Sequence, residues 1–476
     1  MIKVGIAKGE EEIRKALGRS RELLEASGST LLFNRPEVPL LWWKHFHGRD
    51  GADFGTRRGR NFLGVKTRLE EVVFLIAERD GAPCGMAALV ASEVFLKANA
   101  PPLKLLSFCA DSVILFYQDL LVHPDGRREI LAALVDALAG LIARENRILF
   151  LGYLTEDSPN LPGLREEIAA RVRGGAWGGV AENRFRGGVH PWTAHKIADA
   201  FDTLKDLLPP EDPGKASLEA LAIRLRSQGS ALQAFPGTRI ALEKEVRETC
   251  AAYRERSETA DACRQADAAM EGGFIHYPYL KLPATPEAYL ESLSSSKRYY
   301  FRRYLKKYHE AGGEFECLDP AQVTLADVDE YLDLHVQRWG ADSVAVNPAT
   351  MAFHRELSLE AARLGAFRLF FSKHQGKRIS AHVCLDIGKR REYFFSGRTA
   401  GSEELRAGKL MVMHTVLDAI QRGFETYDFG YGGDEYKADF TKTFRPARSL
   451  FLAPGPEAPD LERLFPKYEN LRLETG

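Results

Sequence analysis

Apolar and polar positions along the chain change period in an order that occurs twice. In the first half, Val72 to Glu78 and Cys84 to Phe95 are apolar runs of strand length joined at Asp80-Gly81-Ala82-Pro83, a hairpin signal. Lys104 to Ile114 predicts a third strand, Arg127 to Glu145 has helical spacing, and Arg147 to Leu154 returns to a strand pattern. Pro36 to Phe46 predicts a short helix ahead of them. From Leu325 the pattern sharpens. Leu325 to Trp339 and Ala349 to Leu364 are spaced as helices, and three strands follow at Phe367 to Lys373, Ile379 to Ile387 and Tyr393 to Arg398, separated by the turns HQGKR and GKRR. The loop TAGSEELRAG then leads into a helix from Lys409 to Arg422 closed by Gly423, and a strand from Thr426 to Phe429. Both halves therefore read strand, strand, strand, helix, strand.

Between them, residues 163–270 are rich in Ala, Glu and Arg and read as mostly helical, broken by RGGAWGG and the linker-like LPPEDPG. The predicted organisation is a first α/β unit over residues 1–162, a helical insertion and linker over 163–290, and a second α/β unit over 291–476. A length of 476 residues exceeds what one hydrophobic core usually serves.

Composition narrows the function classes. The 65 basic and 66 acidic residues leave a net charge of −1, which excludes a surface that grips nucleic acid or anionic lipid as a whole, so any phosphate site is local. No run approaches the apolar length of a membrane span, and MIKVGIAKGEEEIRKAL lacks a signal-peptide core, so the expectation is a cytoplasmic protein without a transmembrane segment. The six cysteines lie far apart with no CxxC pair, which predicts reduced thiols and no metal site.

The order of elements makes one chemistry available. A helix that follows a strand through a glycine-containing loop offers unpaired N–H groups and the positive end of its dipole to an anion. Arg406-Ala407-Gly408-Lys409-Leu410 stands at that point: Gly408 permits close approach of a pyrophosphate to the backbone, and Arg406 and Lys409 add charge. Elsewhere, Arg338-Trp339 at a helix end is a candidate clamp for an anionic or sugar substrate, or a helix-end charge with core packing. His382 on an apolar strand is either a core or pocket histidine or a substrate contact, and Arg398 ends the third strand facing the same cleft. Over residues 297–308, Tyr300, Phe301, Tyr304, Leu305 and Tyr308 share one helix face, while Arg298, Arg302, Arg303, Lys306 and Lys307 cover the other, with Ser294 to Ser296 as N-cap. Such a face suits tRNA phosphates, peripheral contact with anionic lipid, the phosphates of a nucleotide- or lipid-linked sugar, or plain solvation.

The runs SLSSSKRYYFRRYLKKYHEAGG, LHVQRWG, FHRELSLEAARLGAFRLFFSKHQGKRISAHVCLDIGKRREYFF and YDFGYGGDEYKADFTKTF together resemble the GNAT acyltransferase fold, and within it the FemAB-like, BioF2/CelD-type acetyltransferase branch. The resemblance spans residues 291–452; the loop reads LRAGKL in place of the fuller glycine-rich signature of that fold. It implies an α/β (α+β) fold of tandem, Fem-like GNAT units, the first degenerate, with acyl-CoA (acetyl-CoA) as donor bound at residues 406–410. The acceptor it implies is an amine or hydroxyl of a cell-envelope or exopolysaccharide precursor, a small molecule or a lipid- or nucleotide-linked sugar. The cleft is expected between the third and fourth strands of the second unit. It places Asp428 beside the thioester, makes Asp434 and Glu435 candidate bases, and sets Tyr436-Lys437 at the acyl-transfer site with Lys437 toward the oxyanion. An aminoacyl-tRNA-dependent peptidyltransferase and a non-catalytic glycan- or precursor-recognition protein are the alternatives.

Overall fold

A computed structural model of the chain describes residues 1–29, 31–35, 37–47, 66–95, 101–109, 117–179, 184–185, 191–228, 236–271, 275–340, 343–430, 435–441, 443–455 and 468–469. The first unit contains β1 (Ile2–Lys8), α1 (Glu10–Ser27), α2 (Glu37–Phe46), β2 (Lys66–Arg79), β3 (Ala82–Phe95), β4 (Leu103–Phe108), β5 (Leu121–Val122), α3 (Arg127–Glu145), β6 (Ile148–Thr155), α4 (Leu161–Arg173), β7 (Trp177–Gly179) and β8 (Arg184–Phe185). Four helices follow: α5 (Pro191–Leu207), α6 (Gly214–Gln228), α7 (Pro236–Tyr253) and α8 (Ala260–Glu271). The second unit adds β9 (Ile275–Lys281), α9 (Pro286–Ser292), α10 (Ser295–Glu310), β10 (Gly313–Leu318), α11 (Leu325–Trp339), α12 (Pro348–Arg363), β11 (Phe367–His374), β12 (Lys377–Ile387), β13 (Arg390–Arg398), α13 (Ala407–Gln421), β14 (Thr426–Asp428), β15 (Phe444–Pro454) and β16 (Tyr468–Glu469).

Local signals set these boundaries. Asp80 and Gly81 both take positive φ (53° and 82°), the geometry a two-residue hairpin needs between β2 and β3. Ser294 caps α10 by accepting from the Lys297 N–H at 3.3 Å, and Thr324 and Asp327 form a reciprocal capping box at the start of α11. Gly423 takes φ 78° just beyond α13, where the helix was expected to stop.

Twelve strands lie side by side in the order β1-β2-β3-β4-β6-β15-β9-β14-β13-β12-β11-β10, with β5 and β7 attached to β3 and β15. The two units thus share one sheet. β15, late in the chain, pairs antiparallel with β6 of the first unit and with β9, and β9 in turn pairs with β14. The core continues across the junction, where Trp42 and Phe46 of α2 pack on Phe353 of α12 with ring centroids 5.5 and 5.2 Å apart.

The described residues differ from the sequence reading in two places, and one further expectation lies partly outside them. The interval 163–290 is not wholly helical: α4 buries Leu164, Ile168 and Val172 in the first unit's core, and β9 stands at the centre of the shared sheet. Only α5–α8 form a separate packed group, around Phe201, Leu204, Leu225 and Val246. The third strand of the first unit ends at Phe108; the rest of the stretch expected to extend it lies mostly outside the described residues. The chain also begins with a strand, β1, whose Ile2, Val4 and Ile6 pack against the core from one face. Among the described residues no helix is long and apolar enough to cross a membrane.

Candidate functional site

In the second unit, β13 and β14 run parallel but pair only at Arg390↔Thr426, Arg391↔Tyr427 and Glu392↔Asp428. Beyond that point the chain leaving β14 turns to β9, where the Phe429 N–H donates to the Pro278 carbonyl at 2.8 Å. The strands therefore part at Tyr393, and a cleft of about 160 Å³ opens beside the free stretch of β13. Ser380 and His382 of β12 and Tyr393, Gly397 and Arg398 of β13 form its sheet wall. Gly408, Lys409 and Val412 of α13 form its helix wall, and Arg338 and Tyr436 close it.

A shift in register puts Tyr393 there. Ser380 lies opposite Arg398 and His382 opposite Ser396, so these four face the same side of the sheet. Strict alternation would bring Phe394 to that side next, but the pairing skips between Val383↔Phe395 and Cys384↔Tyr393, and this bulge presents the tyrosine instead. Gly397 is needed for a different reason. A β-carbon there would stand 2.7 Å from the Leu334 carbonyl oxygen and closer still to the Leu334–His335 backbone, so α11 packs directly on the strand.

The helix wall begins at Arg406, a left-handed residue (φ 54°) whose carbonyl accepts from the Lys409 and Leu410 N–H groups at 3.1 Å. Ala407 and Leu410 bury their side chains in the core, so each offers the cleft no more than its backbone. At Gly408 a β-carbon would meet no atom within 4 Å, so the space above it is part of the cleft. Lys409 pairs with Asp439 at 2.5 Å and lies 4.7 Å from the centre of the Tyr300 ring, and Arg406 lies over Tyr304. The half-buried face of α10 is thus turned toward the start of α13, and Phe301 and Tyr308 are buried. Leu305, predicted to share that face, is exposed instead.

Six residues singled out in the sequence, Arg338, His382, Arg398, Gly408, Lys409 and Tyr436, converge on this cleft. Trp339 lies beside Arg338, whose guanidinium is 4.7 Å from the indole ring, and Arg338 donates to the Ser396 hydroxyl. Burial, reinforced by the Arg338 charge, pushes the His382 imidazole down to about 3, so the ring is neutral at physiological pH. Arg398 pairs with Glu403 at 2.5 Å.

Asp428 does not join them. It is fully buried on the strand pair and accepts from Tyr117 of the first unit at 2.5 Å, from the Gly430 N–H at 2.9 Å and from Arg445 of β15. These bonds make it a pin between the units, a role that a carboxylate predicted to stand beside a reacting thioester does not have. Beside it, burial pushes the Glu392 carboxyl up to about 7 against the pull of Arg390. Lys437 is buried in the short helical turn Glu435–Asp439 directly after Tyr436, and its side chain is not part of the cleft wall. Asp434 and the side chain of Glu435 lie outside the described residues.

Sequence reasoning missed Ser380, Tyr393, Gly397 and Val412. Ser380 was within reach, because it stands two residues before His382 on the same strand and therefore on the same face. Tyr393 depends on a bulge that no local pattern announces.

Residues 295–438 match the family model described as the acetyltransferase (GNAT) domain. No curated protein matches the chain. Among solved structures it is similar to a tandem GNAT protein from the clavulanic acid biosynthesis pathway, at 13% identity over 96% of this chain and 100% of that one, with a TM-score of 0.38. L-PGS from Bacillus licheniformis aligns at 7% identity over 87% of this chain and 90% of its own, with a TM-score of 0.39. FemX aligns at 13% identity over 80% and 87% of the two chains, with a TM-score of 0.28. The matched span runs from the start of α10 to the turn after β14 and so includes every wall of the cleft: within this mixed α/β chain, the second unit carries an acetyltransferase (GNAT) domain, and the cleft lies inside it.

Proposed function

We propose that the chain transfers an acyl group from acyl-CoA to an amine or hydroxyl of a cell-envelope or exopolysaccharide precursor. The observation that carries the reading is the open space above Gly408 at the first turn of α13, in a span that matches an acetyltransferase domain. The residues present fit a pyrophosphate: among the described residues the Ala407 and Gly408 N–H groups take no backbone partner, while those of Lys409 and Leu410 are donated to Arg406, no β-carbon at residue 408 holds a ligand off, and Arg406 and Lys409 stand beside it. When bound, acyl-CoA supplies an activated acyl thioester, from which the acyl group passes to the acceptor with release of the CoA thiol.

The chain's own residues do the remaining work. α13 fixes the donor phosphates, and the separation of β13 from β14 leaves backbone groups of β13 available to the rest of the donor. Tyr436 borders the cleft, and the buried Lys437 next to it in the chain is the cation that the family resemblance assigns to a developing oxyanion. His382, held neutral, is a hydrogen-bond partner rather than a proton store. Asp434 and Glu435 are the bases suggested by sequence. The envelope or polysaccharide acceptor rests on the resemblance of residues 291–452 to the FemAB-like, BioF2/CelD-type branch. Native mass spectrometry with acetyl-CoA and with aminoacylated tRNA tests the donor: a single bound acetyl-CoA is expected, and binding of the tRNA alone would transfer the reading to a peptidyltransferase.

A further inference from the structure

We propose that the Arg338 end of the cleft is a subsite for a carboxylate carried by the acceptor, gripped by the Arg338 guanidinium beside the exposed face of Trp339, with His382 completing the site. The inference rests on the reading above for the position of the donor, at the α13 side of the same cleft.

Charge pairing within the cleft singles out Arg338. Three cations line it. Lys409 is paired with Asp439 and Arg398 with Glu403, both at 2.5 Å. Arg338 has no carboxylate partner among the described residues: it meets the neutral Ser396 hydroxyl and the Trp339 ring. A guanidinium has five donors in a planar fork, and one hydroxyl leaves most of that fork unused. Its field pervades the site, because Arg338 adds to burial in holding both the His382 and His335 imidazoles low.

A second group points into the same space. His382 is 3% exposed, lines the cleft, and its Nδ1 has no hydrogen-bond partner among the described residues. A buried nitrogen left without a partner is unfavourable, and native structures retain one where a ligand or water meets it. The register makes the two observations one site, since His382 pairs with Ser396, the residue that receives the Arg338 hydrogen bond. Trp339, 45% exposed and in contact with the Arg338 guanidinium, stands just outside the cleft lining, where its ring offers the body of the acceptor a flat apolar surface. A planar carboxylate matches a single fork and a neutral ring nitrogen, whereas a phosphate is better served at the helix start across the cleft.

Saturation-transfer NMR on the full chain, with coenzyme A present, compares glycine with glycinamide and D-glucuronate with D-glucuronamide. The wild type should favour the carboxylate of at least one pair by ten- to a hundred-fold, the usual range for a charge-assisted pair. Arg338→Gln should abolish that preference, and Arg338→Lys, which keeps the charge and loses the fork, should retain an intermediate one; thermal melting checks that each variant is folded. Absence of a carboxylate preference in the wild type, or a preference undiminished in either folded variant, overturns the proposal. Coenzyme A affinity measured on the same samples reports on the donor alone. Its loss with the carboxylate preference intact would remove the donor reading and leave this subsite standing.

Discussion

Gly408→Val separates folding from donor binding more cleanly than any other single change in the cleft. The new β-carbon has no neighbour within 4 Å, so it meets no clash in the free protein, and valine is a better helix residue than glycine by about half a kcal/mol. Stability should therefore stay level or rise slightly. The same three carbon atoms would occupy the space through which a pyrophosphate approaches the first N–H groups of α13. Hydrogen bonds to a charged group contribute about 1.5–3 kcal/mol each, so losing two removes about 3 kcal/mol or more. That corresponds to a dissociation constant weaker by about 10²-fold or more. Titration calorimetry with coenzyme A and with acetyl-CoA measures it, alongside a thermal melt. A variant that melts like the wild type and binds with unchanged affinity would show that the donor phosphates do not lie on this helix.

The partner glycine should behave in the opposite way. Gly397→Ala drives a β-carbon into the backbone of α11 and should destabilise the fold by about 3 kcal/mol, read as a lower chemical-denaturation midpoint. Lys437→Met, which keeps the buried stem and removes the charge, should lower turnover by about 10²-fold with little change in donor affinity; equal turnover would mean that the lysine only packs. Acid should unfold the protein early. His354 and His382 are pushed down to about 3 and His335 to about 4, so the unfolded chain takes up protons at these sites below the ordinary value near 6.5 while the native state does not. The histidine term begins as pH falls through 6.5 and grows by about 1.4 kcal/mol per pH unit for each ring until its folded value is reached, while Glu392, raised to about 7, and Asp119, raised to about 6, take up protons first in the folded state and offset part of it, leaving a net loss of about 2 kcal/mol between pH 7 and pH 5. Denaturant midpoints that do not change between pH 7 and pH 5 would contradict this.

The second unit was legible because its signals are local. Ser294, Thr324 and Gly423 mark helix ends through their own side chains or backbone freedom, and the turns between the three strands lie within a few residues. Arg406 to Leu410 could be placed for the same reason: the end of a strand and the start of a helix fix where an anion site must be. Asp428 could not be read that way. Its partner Tyr117 is 311 residues away, and a buried pin and a reactive carboxylate look alike in one dimension. The strand β1 had a usable signal in the alternation of Ile2, Val4 and Ile6, which the reading passed over. β9 had none strong enough, since a short strand between a helical region and a capped helix acquires its meaning from β14 and β15 on either side.

The late arrival of β15 sets a timetable for synthesis. β6 leaves the ribosome about 300 residues before the strand that covers its edge. At roughly 5–20 residues per second, that leaves an apolar strand edge uncovered for roughly 15–60 s. Such an edge is a template for any other extended chain, including the β15 of a neighbouring nascent copy, and an exchanged pair would satisfy the same hydrogen bonds as the native one. Yield of monomer should consequently depend on how fast and how densely the chain is translated, and slower initiation or a chaperone that shields β6 should raise it without altering a single residue of the cleft.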